Sequence, residues 1–433
     1  RLNRRFAPDI YLDVIGITNT AVNPEIGGTG APSEYAVKMR RFDETERLDR
    51  LCDRGELRSA HLSDLAESLA AFHAGAAIAP PASRFGSPAE VIAPALDNFR
   101  DLARLLPHAK VQARLEQLKR WSETEFKRLS PLLEKRKREG RIRECHGDLH
   151  LANLVLIDQR VRMFDCLEFN EALRFIDIAS EIAFTYIDLL DHGQPGLADW
   201  FIDETFGRNG DYEAARVLRF YAVYRALVRA KVAAIRTGQT HDENGEADTY
   251  LALAEHLIAP PLVRLVITHG LAGCGKTVAS SQVLKTDLHA STLRLRSDVE
   301  RKRLFKLAST QKSNSLTDTG IYTHKAHEQT YAHLLHLANM LLRAGWSVIV
   351  DAAFLKRSDR ERFRALATEI GATFGILAPS APVEELRERI RKRNAVGTDA
   401  SEATLEVLEQ QIQRIEPLSD EERRMLVAIE IAV

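Results

Sequence analysis

The chain has 433 residues, a length that favours two domains over one. Its apolar content of 45% and charged content of 28% are those of ordinary globular proteins, and its net charge of −1 argues against broad non-specific binding of nucleic acid. The four cysteines form no CxxC pair, no apolar run reaches the roughly 18–20 residues that cross a bilayer, and no signal peptide is visible, so we expect a cytoplasmic protein with no membrane partner.

The first half of the chain reads as a short β-rich segment followed by a long helical one. Residues 9–18 and 34–42 have strand patterns, and a glycine-rich turn separates them. Nearly everything across 45–140 reads as helix, and two short strands are predicted within 153–169. Helices follow these strands.

The paired prolines Pro260 and Pro261 mark the predicted domain boundary, because they disfavour helix and suit a short stiff connector. We therefore predict one domain over residues 1–258 and another over residues 262–433. The second alternates between strands and helices, which favours a mostly parallel sheet covered on both faces. Its predicted elements are strands at 262–268, 291–296, 346–350 and 425–432, and helices from 299 and at 322–344, 358–370 and 382–394.

A kinase-type catalytic loop is indicated by HGDLHLAN, which runs from His146 to Asn153. In a loop with the spacing His-x-Asp-x4-Asn, the Asp accepts the proton of the substrate hydroxyl and the Asn holds a metal ion. Those positions are Asp148 and Asn153, and Asp165 stands at the end of the next apolar strand, where a second Mg²⁺ ligand belongs. The alternative is that these are turn residues, which Asp and Asn favour anyway.

These residues resemble the aminoglycoside phosphotransferase-like branch of the kinase fold, whose loop commonly reads HGDLHxxN. The resemblance implies that Asp148 is the catalytic base and that Asn153 and Asp165 are Mg²⁺ ligands. It also implies that Asp177 anchors the loop from the following helix, the alternative being an ordinary helix-terminal carboxylate.

A kinase N-lobe carries an ATP-binding lysine, and two more strands follow it before the hinge. No two strands fit between Lys38 and His146, because that stretch reads as helix. We therefore interpret Glu34–Arg40 as the last N-lobe strand, Lys38 as a hinge or surface lysine, and the chain as a truncated copy whose ATP lysine lies upstream of Arg1.

The strongest motif is GLAGCGKT, which directly follows an apolar strand pattern in the second half. Backbone N–H groups of such a P-loop converge on phosphate, the lysine reaches the outer phosphates, and the threonine hydroxyl ligates Mg²⁺. The alternative is a plain glycine turn between strand and helix. The predicted nucleotide-binding residues are Gly270, Gly273, Cys274, Gly275, Lys276 and Thr277, with Thr277 also a metal ligand.

Three further features favour a kinase over a plain ATPase. Asp298 follows a strand and opens a helix, where it can take a proton from an acceptor hydroxyl or act only as a helix cap. Asp351 ends another strand, where it can support Mg²⁺ or serve only as a turn residue. Arg389 and Arg393 are four residues apart on one helix, which suits either an arginine-bearing lid or a solvated basic face.

Together these features resemble the small P-loop kinases that include zeta toxins and polynucleotide kinases. That resemblance implies Asp298 as the acceptor-side base and Arg389 and Arg393 as lid residues. Over nearly its whole length the chain resembles a bacterial two-domain family described as bifunctional, prompted by segments such as EYAVKMRRFD and VIVDAAFLKRSDRERF. The implied fold is an α+β protein kinase-like domain with a partial N-lobe, followed by an α/β P-loop NTPase domain with a mostly parallel sheet.

We therefore expect an ATP- and Mg²⁺-dependent phosphotransferase acting on a hydroxyl of a small-molecule or nucleotide-like acceptor. The P-loop domain is expected to be the main active centre, with a second kinase-like centre before it. The alternatives are a polynucleotide 5′-hydroxyl kinase, which would make nucleic acid a partner, and a non-enzymatic ATP-gated regulatory module. Arg225 and Arg229, on one helix face, are read as an anion site or as a solvated or ion-paired face.

Overall fold

The computed structural model of the chain describes residues 1–20, 22–240, 245–260, 262–289, 291–308, 311–313, 320–396 and 401–427. They form two compact units. The first unit comprises Arg1–His192 and Tyr224–Leu251, and the second comprises Gly193–Val223 and Ala252–Val433. In the part of the chain that is described, no helix is both long and apolar enough to cross a membrane.

Strands account for a minor part of the described chain. In chain order they are β1 (Tyr11–Thr20), β2 (Asn23–Ile26), β3 (Glu34–Met39), β4 (Ile142–Glu144), β5 (Leu154–Ile157), β6 (Arg160–Met163), β7 (Phe175–Asp177), β8 (Arg264–Thr268), β9 (Thr292–Arg296), β10 (Ser347–Asp351) and β11 (Thr373–Leu377).

Helices make up most of the rest. The α-helices are α1 (Leu48–Asp53), α2 (Ser59–Gly75), α3 (Pro88–Leu105), α4 (Ala109–Arg138), α5 (Ile178–Asp191), α6 (Pro195–Asn209), α7 (Ala215–Thr240), α8 (Glu246–Ile258), α9 (Lys276–Lys285), α10 (Ser297–Leu304), α11 (His324–Arg343), α12 (Arg357–Ile370), α13 (Val383–Val396), α14 (Leu405–Arg414) and α15 (Asp420–Arg423). Short 3-10 helices cover Asn3–Arg5, Glu44–Glu46, Leu151–Asn153, Glu171–Leu173, Tyr212–Ala214 and Gly320–Tyr322.

The first unit contains small antiparallel sheets and a large helical part. Strands β1, β2 and β3 form one sheet in the order β2-β1-β3, while β4 pairs with β7 and β5 pairs with β6. Helices α1 to α4 occupy most of the stretch that the sequence predicts as helical. Helix α5 is buried over twelve of its residues, from Ile178 to Leu189, as expected for the central helix of a core.

The second unit is built on a parallel sheet of four strands in the order β11-β8-β10-β9. The described core of this sheet is almost wholly apolar, as parallel strands covered on both faces require; Leu265, Ile267, Val348 and Val350 are fully buried. This arrangement is that of a P-loop NTPase α/β domain. The kinase-like fold predicted for the first half remains a prediction.

The structure differs from the sequence-based elements in three places. Strand β11 was not predicted, and the strand predicted near 425–432 is represented only by a bridge between Ile376 and Leu426, since residues 428–433 lie outside the described chain. The predicted division at 258/262 assigns residues 193–223 to the first domain, whereas they belong to the second compact unit. The physical reason is that α6 packs on α9 and β9.

Candidate nucleotide-binding and catalytic sites

The loop between β8 and α9 depends on three glycines with positive φ, namely Gly270 at 142°, Gly273 at 82° and Gly275 at 95°. A residue with a side chain would be strained at these angles. At Gly273 an added Cβ would also lie 3.1 Å from the carbonyl oxygen of Leu386. Gly275 is the N-cap of α9, so the loop leads into a helix N-terminus, where free backbone N–H groups attract anions.

Lys276, the first residue of α9, folds back over this loop. Its Nζ donates to the carbonyl oxygens of Gly270 at 2.9 Å and Leu271 at 2.7 Å, and lies 3.8 Å from Sγ of Cys274. Cys274 is buried in an apolar cluster that also contains Leu386. The predicted loop residues thus surround one ammonium group placed to meet phosphate.

Thr277 and Asp351 meet beside the loop, although they are far apart in the chain. Thr277 Oγ1 donates to Oδ2 of Asp351 at 2.8 Å. Asp351 ends β10 and is only 6% exposed, and the Nε of Arg296 lies 4.0 Å from the same oxygen. Hydroxyl and carboxylate oxygens are the donors that Mg²⁺ prefers, so these two residues fit the metal that accompanies a bound triphosphate.

Helix α13 lies against the P-loop through Leu386 and Ile390, which pack on loop residues. Arg389 is exposed, and its Nη1 donates to the carbonyl oxygen of Gly273 at 3.2 Å. Arg393 behaves differently, because its Nη2 donates to the carbonyl oxygen of Ala403 at 3.0 Å. The structure therefore brings Arg389 to the P-loop, while the contacts of Arg393 lie with the segment that precedes α14.

Asp298 is the second residue of α10, directly after β9. Strands β8, β9 and β10 are parallel, so their carboxyl ends share the sheet edge that carries the P-loop and Asp351. The half-buried carboxylate of Asp298 lies near two phenols: burial raises the pKa of Tyr322 and of Tyr331, and the charge of Asp298 raises both further. A proton-accepting group thus stands on the same edge as the phosphate loop.

Arg301 lies three residues beyond Asp298 and therefore on the same face of α10. It is 8% exposed, its guanidinium carbon lies 5.3 Å from the ring centre of Tyr322, and its Nη1 donates to the carbonyl oxygen of Ile321 at 3.0 Å. Its Nε is buried without a hydrogen-bond partner among the described residues. A buried cation therefore neighbours Asp298, a feature that sequence reasoning did not single out.

In the first unit, Asp148 and Asn153 come together as the predicted spacing requires. Nδ2 of Asn153 donates to the carbonyl oxygen of Asp148 at 2.9 Å and lies 3.3 Å from its Oδ2. Burial works against the charge of Asp148, but the hydrogen bond to His150 and nearby cations outweigh it and lower the pKa of the carboxyl. Asp148 is therefore ionised at neutral pH.

Asp165 lies next to this pair because β5 and β6 form a hairpin, in which the N–H of Phe164 donates to the carbonyl oxygen of Asn153 at 3.0 Å. Asp165 is exposed, has a φ of 61°, and its own N–H donates to Oη of Tyr11 at 2.8 Å. Three oxygen-bearing side chains, Asp148, Asn153 and Asp165, thus lie in one region of the first unit.

The loop from His146 to Asn153, which the sequence predicts to be catalytic, is anchored by Glu181, a residue that sequence reasoning missed. Its Oε1 accepts the backbone N–H groups of His146 and of Gly147, the latter at 3.2 Å, and its Oε2 lies 2.5 Å from Nε2 of His73. Burial opposes the charge of Glu181, but these hydrogen bonds and the nearby histidines lower its pKa to about 2. The available signal was a glutamate in the apolar run IASEIAF, which predicts a buried charge with partners.

Donor atoms of His73, Cys145 and Glu181 all lie within 4.8 Å of one another, and all three residues are buried. The 2.5 Å contact between His73 and Glu181 is a direct hydrogen bond, however, and it leaves no room for an ion between those two atoms. The cluster is therefore better explained as the hydrogen-bonded support of the loop from His146 to Asn153.

Asp177 does not make the loop contact that the resemblance implied. It caps α5 by accepting the N–H of Ala179 at 2.9 Å, and it binds Arg136 through two hydrogen bonds of 2.7 and 2.8 Å. Both side chains are fully buried. The helix-terminal alternative is thus the one that the geometry supports, with a buried ion pair added.

The basic pair on α7 is likewise partnered within the first unit. Arg225 is 4% exposed, stacks 4.6 Å from the ring centre of Phe184 and donates to a backbone carbonyl on α5. Nε of Arg229 lies 3.2 Å from Oη of Tyr250, and its Nη2 lies 3.9 Å from Oδ1 of Asp188. The burial of Arg225 and the carboxylate beside Arg229 favour the ion-paired alternative over an open anion site. Lys38, on β3, is exposed.

The P-loop, the Thr277–Asp351 pair and the parallel sheet define a P-loop nucleotide-binding unit. Residues 265–418 match the family described as AAA domain (AAA_33). Uncharacterized protein Rv2004c of Mycobacterium tuberculosis (strain ATCC 25618 / H37Rv) is 30% identical over 412 residues, covering 92% of this chain and 78% of that protein, and Uncharacterized protein Mb2027c of Mycobacterium bovis gives the same figures. The chain belongs to the family of these mycobacterial proteins.

Two of the solved structures that match parts of this chain, at low overall similarity, are described as kinases. A sugar kinase from Janibacter sp. HTCC2649 gives a TM-score of 0.28 with 20% identity, covering 38% of this chain and 83% of that one. The Mycobacterium tuberculosis APS kinase CysC, in complex with AMPPNP and APS, gives a TM-score of 0.26 with 21% identity, covering 36% and 96%. TM-scores this low carry no argument about function.

Proposed function

We propose that the chain is an ATP-dependent phosphotransferase, in which the P-loop unit transfers the γ-phosphoryl group of Mg·ATP to a hydroxyl of a small-molecule or nucleotide-like acceptor. The observation that carries this proposal is the 2.8 Å hydrogen bond from Thr277 Oγ1 to Asp351 Oδ2, beside the ammonium group of Lys276. A metal-binding oxygen pair next to a glycine-rich loop is what a magnesium-bound triphosphate requires.

Each residue of this site has a distinct role. Lys276 and the loop N–H groups would hold the phosphates, and Thr277 and Asp351 would hold Mg²⁺, which would screen the negative charge of the phosphoryl oxygens. Arg389, at the carbonyl oxygen of Gly273, adds positive charge where the phosphates are held. Arg393 is retained as a second lid arginine, which requires α13 to shift from its contact with Ala403.

The positions of Asp298 and Arg301 favour phosphoryl transfer to an acceptor hydroxyl over transfer to water alone. Asp298 stands at the same sheet edge as the P-loop, and in this proposal it accepts the proton of the acceptor hydroxyl. The buried guanidinium of Arg301 lies on the same helix face, where its positive charge orients the acceptor.

The first unit is proposed as a second phosphotransfer centre. The contact between Asn153 and Asp148 at 3.3 Å favours it, with Asp148 as base and Asn153 and Asp165 as the residues that would hold Mg²⁺. Ionised Asp148 is in the protonation state that accepts a proton.

The test uses the full chain, γ-labelled ATP and a pool of cellular metabolites, with labelled products identified by mass spectrometry. Asp298→Asn is expected to abolish transfer by the P-loop unit while Mg·ATP affinity stays within a few-fold, because the change leaves the loop intact. Asp420→Asn, the same charge change at an exposed position of the second unit, is the matched control. Asp148→Asn is expected to remove any product made by the first unit.

The outcomes separate the alternatives. Labelling of 5′-hydroxyl oligonucleotides in preference to metabolites would identify a nucleic-acid end kinase. Mg·ATP binding by the unaltered chain without any transferred label would identify an ATP-gated regulatory module. Equal product formation by Asp298→Asn would remove Asp298 from the mechanism, and the absence of Mg·ATP binding would overturn the proposal as a whole.

A further inference from the structure

Strand β9, which leads to Asp298, is an edge strand whose outer N–H groups are covered by a helix. The N–H of Thr292 donates to Oδ2 of Asp199 at 3.0 Å, and the N–H of Arg294 donates to Oδ1 of Asp203 at 2.7 Å. Both aspartates lie on α6. Four residues of helix rise about 6.0 Å and two residues of strand about 6.6 Å, so the two carboxylates match the two N–H groups in spacing. Helix α6 thereby completes the open edge of the sheet.

The contact between α6 and the sheet is close and charge-paired. Nη2 of Arg294 lies 3.1 Å from Oδ2 of Asp203, with both side chains nearly fully buried. At Gly196, near the start of α6, an added Cβ would lie only 1.8 Å from the carbonyl oxygen of Lys285 at the end of α9. A helix that approaches this closely is specifically fitted to this unit.

The same segment also holds α10, the helix that begins with Ser297 and Asp298. Glu300 is fully buried, and its Oε1 accepts a hydrogen bond from Oη of Tyr212 at 3.2 Å while its Oε2 lies 3.1 Å from Nε2 of His333. Nη2 of Arg303 donates to the carbonyl oxygen of Gly207 at 2.5 Å. Two residues of α10 are therefore fixed by residues 193–223.

Residues 193–223 also hold the start of β10, the strand next to β9. Nε1 of Trp346 donates to the carbonyl oxygen of Ala215 at 2.9 Å, and Nη2 of Arg219 donates to the carbonyl oxygen of Gly345 at 3.0 Å. Residues 345 and 346 lead directly into β10, which ends at Asp351. Residues 193–223 thus contact the beginnings of β9 and β10, the two strands that lead to Asp298 and Asp351 of the proposed site.

We infer that residues 193–223, which lie outside the stretch that matches the AAA domain family, contribute to the function of the P-loop unit. Tyr212 and Glu300 are the positioning residues in this inference, because they set the location of Asp298 through α10. The inference rests on the proposed function of the second unit. Asp298 is two residues from Glu300 on a helix of eight residues, so release of Glu300 moves the carboxylate directly. A displacement of about 1 Å costs up to a hundredfold in rate.

The test compares Tyr212→Phe and Glu300→Gln with unaltered protein in the full chain, and it uses Mg·ATP as the probe. Both variants are expected to lower kcat for ADP formation on the order of tenfold while KM for Mg·ATP stays within about twofold, because the loop that holds ATP is untouched. Tyr35→Phe, at an exposed tyrosine of the first unit, is the control and is expected to change neither constant.

Amide hydrogen exchange on the same proteins provides a readout independent of activity. Peptides covering 297–304 are expected to exchange faster in both variants, while peptides covering the P-loop are unchanged. Unchanged exchange across 297–304 would overturn the inference whether or not the protein turns over ATP. Unchanged kcat in both variants, alongside loss of activity in Asp298→Asn, would also overturn it, whereas unaltered protein that neither binds nor hydrolyses Mg·ATP would instead overturn the proposed function.

Discussion

Replacement of Asp199 by Asn tests whether this buried carboxyl group keeps its proton in the folded protein. Burial and the facing carboxylate of Asp287 raise the pKa of Asp199 well above its ordinary value. One oxygen accepts the N–H of Thr292 at 3.0 Å, and the other is buried without an ordinary hydrogen-bond donor among the described residues. An asparagine keeps an oxygen for Thr292 and offers an N–H to Asp287, so it makes both contacts without binding a proton.

The magnitude follows from proton linkage. Because the pKa of Asp199 is higher in the folded chain, its contribution to stability is complete below the unfolded value of 3.8 and is lost as pH rises toward the folded value. One proton corresponds to about 1.4 kcal/mol of unfolding free energy per pH unit. Burial also raises the pKa of Asp203, to about 6, so the contribution of Asp199 is taken from the difference in pH slope between unaltered protein and Asp199→Asn, both of which keep Asp203.

The assay is urea unfolding of the full chain between about pH 4 and pH 9, followed by tryptophan fluorescence, since Trp200 lies on α6. From pH 3.8 up to the folded pKa of Asp199, unaltered protein is expected to lose stability with rising pH more steeply than Asp199→Asn, by up to about 1.4 kcal/mol per pH unit. The contrasting variant is Asp203→Asn, which removes the nearer of the two carboxylates beside the buried Arg294 and is expected to cost about 3–5 kcal/mol. Identical pH slopes in unaltered protein and Asp199→Asn, or an equal loss from both substitutions, would refute the reasoning.

Four further predictions concern the two sites. Asp351→Asn is expected to raise the Mg²⁺ concentration needed for half-maximal ADP formation, measured by magnesium titration, because it removes a carboxylate beside the threonine hydroxyl. Arg389→Ala is expected to lower kcat on the order of tenfold in steady-state kinetics, whereas Arg391→Ala, an exposed position on the same helix, leaves it unchanged. Asp177→Ala is expected to destabilise the first unit by about 3–5 kcal/mol in urea unfolding, since it removes the carboxylate that makes two hydrogen bonds to the buried guanidinium of Arg136; a loss below about 1 kcal/mol would contradict this. Glu181, whose pKa is lowered to about 2 by His73 and the loop N–H groups against the effect of burial, is expected to stabilise the first unit fully above pH 4.5, with that stability lost as pH falls toward about 2; Glu181→Gln should remove this acid-dependent loss in circular dichroism.

Local motifs were readable from the sequence because their geometry is set by neighbours in the chain. The P-loop needs three glycines at fixed spacing, and the strand and helix that flank it follow from the residues beside it. Asp148 and Asn153 share a short loop, so their spacing alone fixes their approach. Asp351 could be placed because the carboxyl ends of parallel strands meet at one edge of a sheet.

Long-range partners could not be read in this way. The pattern of α6 indicates a buried face but not the surface that buries it, and its aspartates bind N–H groups about ninety residues further along the chain. Asp177 and Glu181 are both acidic residues at the start of α5, and only the fold decides that Glu181 holds the loop that begins at His146 while Asp177 binds Arg136. Strand β11 was missed because TFGIL is short and carries one glycine.

The covering of β9 by α6 has a consequence for synthesis on the ribosome. Asp199 leaves the ribosome 93 residues before Thr292, the strand residue whose N–H it accepts. At a translation rate of about 5–20 residues per second, roughly 5–20 s pass between the synthesis of α6 and that of β9. Throughout this time the two aspartates of α6 lack their β9 partners, because the end of the first unit and the P-loop are still being synthesised. During that interval the second unit of the nascent chain is incomplete. A chaperone that shields α6 would therefore act before the nucleotide site has formed.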